Sequence, residues 1–427
     1  MSVAVQIMDA IRHGKGNASK KDIQEATGIA WGTMCKGVDA LLGSGYVFAR
    51  REKAQGRGRP VIPLCINSDA AYYVGLDIGA GFTRTVVCNL AFNTVYMNEV
   101  ETPHYEGKES FMAFLFDVVD TALRESRMER ERLEGIGVSV SGNVDFEDGV
   151  IVSGRNFGLA WKENVPVAEL LGERYGVGIY AVTTQAAAPA AEYYFGKMAG
   201  CRNILTLGFG VGIGSGVVSE GQLLISRPGR PVGHIGHMLI TGNKRVCVCG
   251  FRGCLEAYSG GNSLVQVAHE RFPARTDFTD ARAIDLAAGA GDADAQAILD
   301  TAALYNAAGI ASMIQLYVPD AIIFGGGQCR EDGYLYRRTL EEIRNILPRE
   351  RLENIKVSIT TLGKYQSALG AARLAQIALN RDKPLPQLLP QLPLEQQHRP
   401  DAKNHARYAE RRDVFRKIYQ QLLPLMS

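Results

Sequence analysis

Near the N-terminus of the chain, apolar residues recur with the spacing of three short helices. The first covers residues 4–12. The second opens on a capping box that starts at Ser19 and spans residues 20–26, and the third runs from about residue 30 to 43. Because a turn at Gly28 joins the second helix to the third, the pattern predicts a helix-turn-helix.

The segment after these helices has the pattern of two short strands around a basic turn. A strand-like stretch carries Arg50 and Arg51, the sequence Gly-Arg-Gly-Arg-Pro occupies residues 56–60, and an apolar run returns over 61–66. Such a turn is typical of a wing, whose arginines reach phosphates or a narrow minor groove. We therefore predict double-stranded DNA as a partner; a helical cap for protein contacts is the alternative.

In a module of this kind, the second helix of the pair enters the major groove and residues near its start meet base edges. Lys36 and Thr33 can hydrogen-bond to bases or phosphates, and Lys36 is the first choice. Trp31 packs either on DNA or in the core of the module. The candidate DNA-binding residues are Lys20, Lys21, Trp31, Thr33, Lys36, Arg57 and Arg59.

Two strand-turn-strand patterns with glycine-rich turns follow in separate parts of the chain. The first covers residues 73–79 with a return strand at 84–89, and the second covers 204–208 with a return at 211–218. Together with the three glycines that end the apolar run 322–327, they predict two related lobes around a nucleotide-sized or sugar-sized cleft. Each turn alone also fits a purely structural hairpin.

Length and charge limit the class of protein. The 427 residues exceed one ordinary domain. The apolar runs are too short for a membrane span and the N-terminus lacks a signal-peptide core, so we expect a soluble cytoplasmic protein without membrane contact. The chain has a net charge of +2, but its two ends are more basic. Residues 1–69 contain ten basic and six acidic side chains, and residues 381–427 contain nine basic and five acidic ones. Basic ends indicate a polyanionic partner, or only a solvated face.

Three of the eight cysteines lie close together, downstream of a histidine. His237, Cys247, Cys249 and Cys254 have the spacing His-x9-Cys-x-Cys-x4-Cys. One imidazole and three thiolates make a closed tetrahedral set for Zn²⁺. Because a closed set leaves no position for water, the pattern predicts a structural zinc ion and not a catalytic one.

The stretch 236–256 is similar, at every defined position, to the zinc-binding signature of the ROK family (repressors, open reading frames, kinases). Segments 58–60, 141–145 and 156–161 also resemble that family, and the resemblance covers nearly the whole span from residue 4 to about 379. It implies an α/β fold with an N-terminal winged helix-turn-helix and a two-lobed, actin-like ATPase domain of the sugar-kinase type. It also implies a homo-oligomer, a homodimer or homotetramer.

Three departures from the family's kinases argue against catalysis. Their general base, an aspartate, is replaced by Thr184, which has no accessible conjugate base near neutral pH. Gly81 and Phe82 stand where the kinases carry the Thr and Lys that face phosphates. His234 replaces a glutamate that accepts hydrogen bonds from sugar hydroxyls. We therefore expect no catalytic residue and no kinase activity.

The resemblance places a sugar site in the cleft. We predict a DNA-binding transcriptional repressor of carbohydrate metabolism whose sensor binds a sugar or sugar phosphate without phosphorylating it. An ATP-dependent sugar kinase and a regulator controlled by a protein partner are the alternatives. Asn156 alternatively caps a turn, and His234 is alternatively a hydrogen-bonded core residue. The candidate sugar-binding residues, carried over from matching family segments, are Gly142, Asn143, Asn156, Thr184, His234, His237 and Glu256.

These patterns divide the chain into parts. We assign residues 1–70 to the DNA-binding domain, 71–190 to a first lobe completed by about 365–380, and 191–364 to a second lobe with the zinc site. A final segment, 381–427, begins with a proline-rich connector and ends in the pattern of an amphipathic helix. We predict that this segment packs on its own protein or at a subunit contact, and so couples sensor to DNA.

Overall fold

A computed structural model describes residues 2–14, 16–50, 62–105, 107–153, 164–225, 234–240 and 245–380. Residues 1–380 form one compact unit and 381–427 form a second, whose predicted connector and helix lie outside the described residues. The helices are α1 (Val3–His13), α2 (Lys20–Thr27), α3 (Trp31–Gly43), α4 (Lys108–Glu125), α5 (Val167–Tyr175), α6 (Thr184–Phe195), α7 (Glu256–Ser259), α8 (Gly261–Arg271), α9 (Ala281–Gly289), α10 (Ala293–Tyr317), α11 (Tyr334–Ile346), α12 (Arg349–Leu352) and α13 (Gln366–Leu379). The strands are β1 (Val47–Ala49), β2 (Leu64–Ile66), β3 (Tyr72–Ile78), β4 (Phe82–Asn89), β5 (Thr94–Glu101), β6 (Leu133–Val140), β7 (Asn143–Asp145), β8 (Val150–Ser153), β9 (Gly178–Thr183), β10 (Ile204–Phe209), β11 (Ile213–Ser219), β12 (Gln222–Leu223), β13 (Ala321–Gly325) and β14 (Lys356–Ile359).

The N-terminal module consists of α1, α2 and α3 beside the antiparallel pair β1 and β2. Ser19 caps α2: its hydroxyl accepts from the backbone N–H of Asp22, and the Asp22 carboxylate accepts from the Ser19 N–H at 2.8 Å. Helix α2 ends at Gly28, whose φ of 66° favours glycine. The three predicted helices and their turn are therefore confirmed.

Two five-stranded sheets share one topology. Their strand orders are β5-β4-β3-β6-β9 and β12-β11-β10-β13-β14. In each sheet the first strand along the chain pairs antiparallel with the next, and two later strands add in parallel on its other side. The repeated order confirms the predicted duplication of strand-turn-strand units.

Helix α13 packs on the first sheet with almost no space to spare. A Cβ added to Gly75 or to Gly137 would lie 2.0 Å from a carbonyl oxygen of α13. On the opposite side, a Cβ added to Gly370 would lie 1.9 Å from the carbonyl oxygen of Ala187 in α6. The last described helix is thus fixed between the first sheet and α6, while the domain boundaries proposed above stay a prediction.

The core of the N-terminal module is continuous with that of the rest of the fold. Buried side chains of α1, among them Ile7 and Ile11, belong to one apolar cluster with Tyr73 and Leu90 of the first sheet region and Ile377 of α13. Because the burial is shared, removing α13 would expose α1.

One described helix, α10, is long and apolar enough to cross a membrane by length and composition. Within its most apolar window, however, 61% of the residues are buried inside the fold. Its side chains Ile310 and Ile314 pack in one cluster with Leu205 and Phe324 of the second sheet. This is the packing of a core helix.

Candidate functional site

The start of α3 presents side chains to solvent. Trp31, Thr33 and Lys36 are all exposed, Trp31 by 50%, while Met34 and Val38 on the opposite face are buried. Trp31 is therefore not a core residue, which removes one of its two interpretations. Exposed donors in the first two turns are what a helix needs to enter a major groove.

The two lysines of α2 lie in the same module. Lys20 pairs through Nζ with the Asp39 carboxylate of α3 at 2.8 Å, and the exposed Lys21 lies 3.6 Å from Glu25. An exposed ion pair of this kind contributes little stability, so both lysines can exchange their partners for phosphates. The predicted wing arginines, Arg57 and Arg59, lie outside the described residues.

The four predicted metal ligands converge. The ligand atoms of His237, Cys247, Cys249 and Cys254 all lie within 4.8 Å of one another. The Cys249 and Cys254 sulfurs are 3.7 Å apart, and Nδ1 of His237 is 3.7 Å from the Cys247 sulfur. A tetrahedral ion with Zn–S bonds of about 2.3 Å separates its sulfurs by about 3.8 Å. The cluster therefore has the size and donor set to hold a metal ion.

Glycines give the cluster its tight loop. The backbone N–H of Cys247 donates to the Phe251 carbonyl at 2.7 Å, and that of Gly250 donates to the Cys247 carbonyl at 2.9 Å. Gly250 and Gly253 have φ angles of 92° and 83°, in the left-handed region that side chains disfavour. The same loop leads directly into α7, whose first residue is a predicted sugar ligand.

That residue, Glu256, is aimed at the second glycine hairpin. Its Oε2 accepts a hydrogen bond from the backbone N–H of Ile213 at 2.8 Å. On the same strand, the Ser215 hydroxyl accepts from the N–H of Ile235, next to His234, at 3.1 Å. The ring centroids of His234 and His237 are 5.1 Å apart, so the metal cluster lies next to this predicted sugar ligand.

The start of α6 carries another predicted sugar ligand, Thr184. Thr184 donates from its hydroxyl to the Val140 carbonyl at 3.2 Å and lies 3.4 Å from the Ser141 hydroxyl. Gly142 and Asn143 follow at the turn into β7, whereas Asn156 lies outside the described residues. The described structure thus holds Thr184 against the turn that carries two other predicted ligands.

Two polar atoms near the cleft lack a hydrogen-bond partner among the described residues. They are Nε2 of His234 and Oε1 of Gln185, and both are buried. Burial lowers the pKa of His234 to about 4, with the neighbouring His237 adding to the shift, so the imidazole is neutral near pH 7. His234 is therefore not a hydrogen-bonded core histidine within the described structure. Gln185 was not predicted, because no sequence pattern marks a buried amide.

An ion pair joins the two strands that flank the first glycine turn. Asp77 is buried, accepts from the Ser139 hydroxyl at 3.1 Å, and lies 3.8 Å from the Arg84 guanidinium. Burial raises the pKa of Asp77 to about 6, although Arg84 and Ser139 oppose the rise. Arg84 is held in turn by Glu99 at 2.7 Å. A guanidinium therefore neutralises the one buried carboxylate of this turn, a pairing that sequence analysis missed.

A model of the ROK family matches residues 73–378, which is most of the chain. The chain belongs to the ROK family. This ROK protein is 24% identical over 368 residues to the xylose repressor of Caldicellulosiruptor bescii, a match that covers 82% of this chain and 90% of the repressor. A shorter stretch of 109 residues is 46% identical to the xylulose kinase of Escherichia coli, but it spans only 20% of that enzyme.

Among solved structures, the ROK protein resembles a crystal structure of a ROK family transcriptional regulator described as a homolog of the E. coli Mlc protein. The TM-score is 0.74 at 21% identity, and the match covers 88% of this chain and 97% of that one. At this identity the likeness establishes the fold. The predicted combination of a helix-turn-helix with an actin-like, two-lobed domain is confirmed.

Proposed function

We propose that this ROK protein is a cytoplasmic, sequence-specific DNA-binding repressor of carbohydrate metabolism whose two-lobed domain senses a sugar. The observation that carries the proposal is the exposed first two turns of α3, with Thr33 and Lys36 facing solvent, in a module continuous with the ROK domain. The match to a xylose repressor covers 82% of this chain and 90% of that protein. Double-stranded DNA and a small sugar are the partners, and a homodimer or homotetramer is the assembly that suits a two-fold operator.

The sugar is bound and not phosphorylated in this proposal. Thr184 has no proton-accepting form near neutral pH and uses its hydroxyl to donate to a backbone carbonyl. Asp77 is already paired with Arg84. Both features support a sensor over the alternative, a sugar kinase. The name of the C. bescii relative supports a pentose, with D-xylose as the first sugar to test.

The ion in the four-residue cluster is Zn²⁺ in this proposal, and it is structural. Three sulfurs and one imidazole match its preference, and all four positions of a tetrahedron are filled. The cluster fixes the loop from which Glu256 accepts a hydrogen bond from the Ile213 backbone. The role of the ion is therefore to position Glu256 in the sugar site.

The proposal is tested by selecting preferred duplexes from a random DNA pool and titrating them by fluorescence anisotropy. Lys36→Ala is expected to weaken binding to the selected sequence by about 1–3 kcal/mol, because a donor to a base edge is lost. Binding to nonspecific DNA should hardly change. Lys21→Ala is expected to weaken all sequences alike and to lower the salt slope by about one unit. Lys197→Ala, exposed but outside the module, is the control. Failure of the wild type to prefer any sequence would contradict the proposal.

A second prediction separates sensor from kinase. With ATP, Mg²⁺ and D-xylose, the wild type is expected to release no ADP above background. Thr184→Asp alone should not restore turnover, because Gly81, Phe82 and the Asp77–Arg84 pair still leave the phosphate turn without its usual groups. A coupled ADP assay and the mass of the sugar check both proteins. Sugar phosphate from the wild type would establish a kinase.

A further inference from the structure

Helix α6 connects the cleft to the N-terminal module. Its first residue, Thr184, contacts the turn at Ser141, and its last residues, Tyr194 and Phe195, lie about 18 Å away at the other end. Phe195 stacks on Phe92 with ring centroids 5.2 Å apart. One helix, with Pro189 in its interior, therefore touches both the candidate sugar site and the surface on which α1 packs.

At that surface lies the most deeply buried charge of the described structure. Arg373 of α13 has no exposed area, and its guanidinium donates to the carboxylate of Asp9 in α1 and to Gln376. It also lies over the Tyr194 ring, 4.3 Å from the centroid, and 5.5 Å from that of Phe92. We name these four residues, Arg373, Asp9, Tyr194 and Phe92, the Arg373 junction.

A second arginine, Arg12 of α1, also contacts the Arg373 junction. Arg12 pairs with Asp9 and donates to the carbonyls of Leu90 and Ala91, both at 3.2 Å. Its guanidinium lies 5.3 Å from the Phe92 centroid. Two cations thus share one carboxylate and the face of one aromatic ring. Because a buried cation is stable only while its partners stay in place, α1 cannot shift without disturbing Arg373.

The two helices that meet at the junction, α6 and α13, are in close contact. Gly370 of α13 lies against the Ala187 carbonyl of α6 with no room for a methyl group. Close-packed surfaces of this kind transmit displacement because they do not compress. A change at the first turn of α6 is therefore carried to Tyr194, and from Tyr194 to the guanidinium that holds Asp9.

We propose that Arg373 and Tyr194 are positioning residues that couple occupancy of the sugar cleft to the placement of the DNA-binding module. Sugar bound beside Thr184 displaces α6, the Tyr194 ring carries the Arg373 guanidinium with it, and α1 follows through Asp9. The inference rests on the proposed function, since it needs a sugar and a DNA site. It adds the residues through which sugar binding affects DNA binding.

The experiment uses the full chain and measures three quantities for each variant: the D-xylose affinity by calorimetry, the operator affinity without sugar, and the operator affinity at saturating sugar. In Tyr194→Leu the ring face is lost, so the variant should lose its response to sugar. The ratio of operator affinities without and with sugar is expected to be at least tenfold smaller than in the wild type and close to one. The D-xylose affinity should stay within twofold. Tyr194→Phe retains the ring and should retain the response, and Arg373→Met should lose it.

A matched control separates coupling from stability. Tyr175, like the partly buried Tyr194, lies beside arginine side chains, but it is buried on α5, away from the junction. Tyr175→Leu is expected to lower stability and keep the response. An unchanged response in Tyr194→Leu overturns the inference and leaves the proposed function intact. A wild type whose operator affinity ignores D-xylose and other mono- and amino-sugars overturns both.

Discussion

Replacing Cys254 by serine is expected to abolish stoichiometric zinc binding and to produce the largest loss of stability of any single change considered for this protein. Cys254 is completely buried and its sulfur lies 3.7 Å from that of Cys249. A closed zinc site contributes ~10–16 kcal/mol in small zinc domains, and three remaining ligands hold the ion far more weakly. A loss of several kcal/mol in this chain, about 5 or more, is therefore expected.

The measurements are zinc per chain by elemental analysis and thermal unfolding with and without a chelator. Wild type should contain about one zinc per chain and melt at lower temperature after chelation. Cys201→Ser removes a thiol far from the cluster in sequence and should change neither quantity. A Cys254→Ser protein with a full zinc equivalent and an unchanged melting curve would exclude a structural metal.

The effect should extend to the sugar site. The N–H of Leu255 donates to the Met238 carbonyl at 2.9 Å, and Glu256 follows with its bond to the Ile213 backbone. Without the ion, this segment loses the constraint that orients Glu256, so D-xylose affinity should fall together with metal content.

Gly370→Ala is expected to lower the free energy of unfolding by about 3 kcal/mol. The new methyl carbon would lie 1.9 Å from the Ala187 carbonyl oxygen, so α6 and α13 must separate by more than 1 Å along much of their contact. Overpacking against backbone is costly because a carbonyl, unlike the end of a side chain, cannot rotate away.

The matched control is Gly289→Ala, at the end of α9. No atom lies within 4 Å of the added methyl group at that position. Alanine there should raise stability by about 0.5–1 kcal/mol, since it restricts the unfolded chain and favours the helix. Urea unfolding of the zinc-loaded proteins measures both changes. Equal midpoints for the two variants would show that α6 and α13 have more space than the structure indicates.

Local signals made the N-terminal module predictable. The capping box at Ser19 and the glycine at position 28 act over four residues or fewer, and the predicted helices match the observed ones to within two residues. The metal ligands were equally predictable from sequence. All four lie within one short stretch, and one histidine with three cysteines at that spacing is typical of a metal site.

Contacts between secondary-structure elements were not predictable. The Asp77–Arg84 pair depends on the register of β3 against β4, in which these two residues face each other. The Arg373 junction depends on the packing of α1, α6 and α13 together. Arginine in a late helix is ordinarily an exposed residue, so its complete burial has no sequence signal. Periodicity identifies which face is apolar but not which element covers it.

The order of synthesis gives the Arg373 junction a further consequence. Asp9 and Arg373 are separated by 364 residues. At about 5–20 residues per second, a ribosome finishes α1 about 20–70 s before it finishes α13. During that interval the part of the α1 surface that later contacts α13 is uncovered, and exposed apolar surface of this kind favours aggregation. Chains that end before α13 lack the buried partner of Asp9 and are expected to be less stable than the full chain.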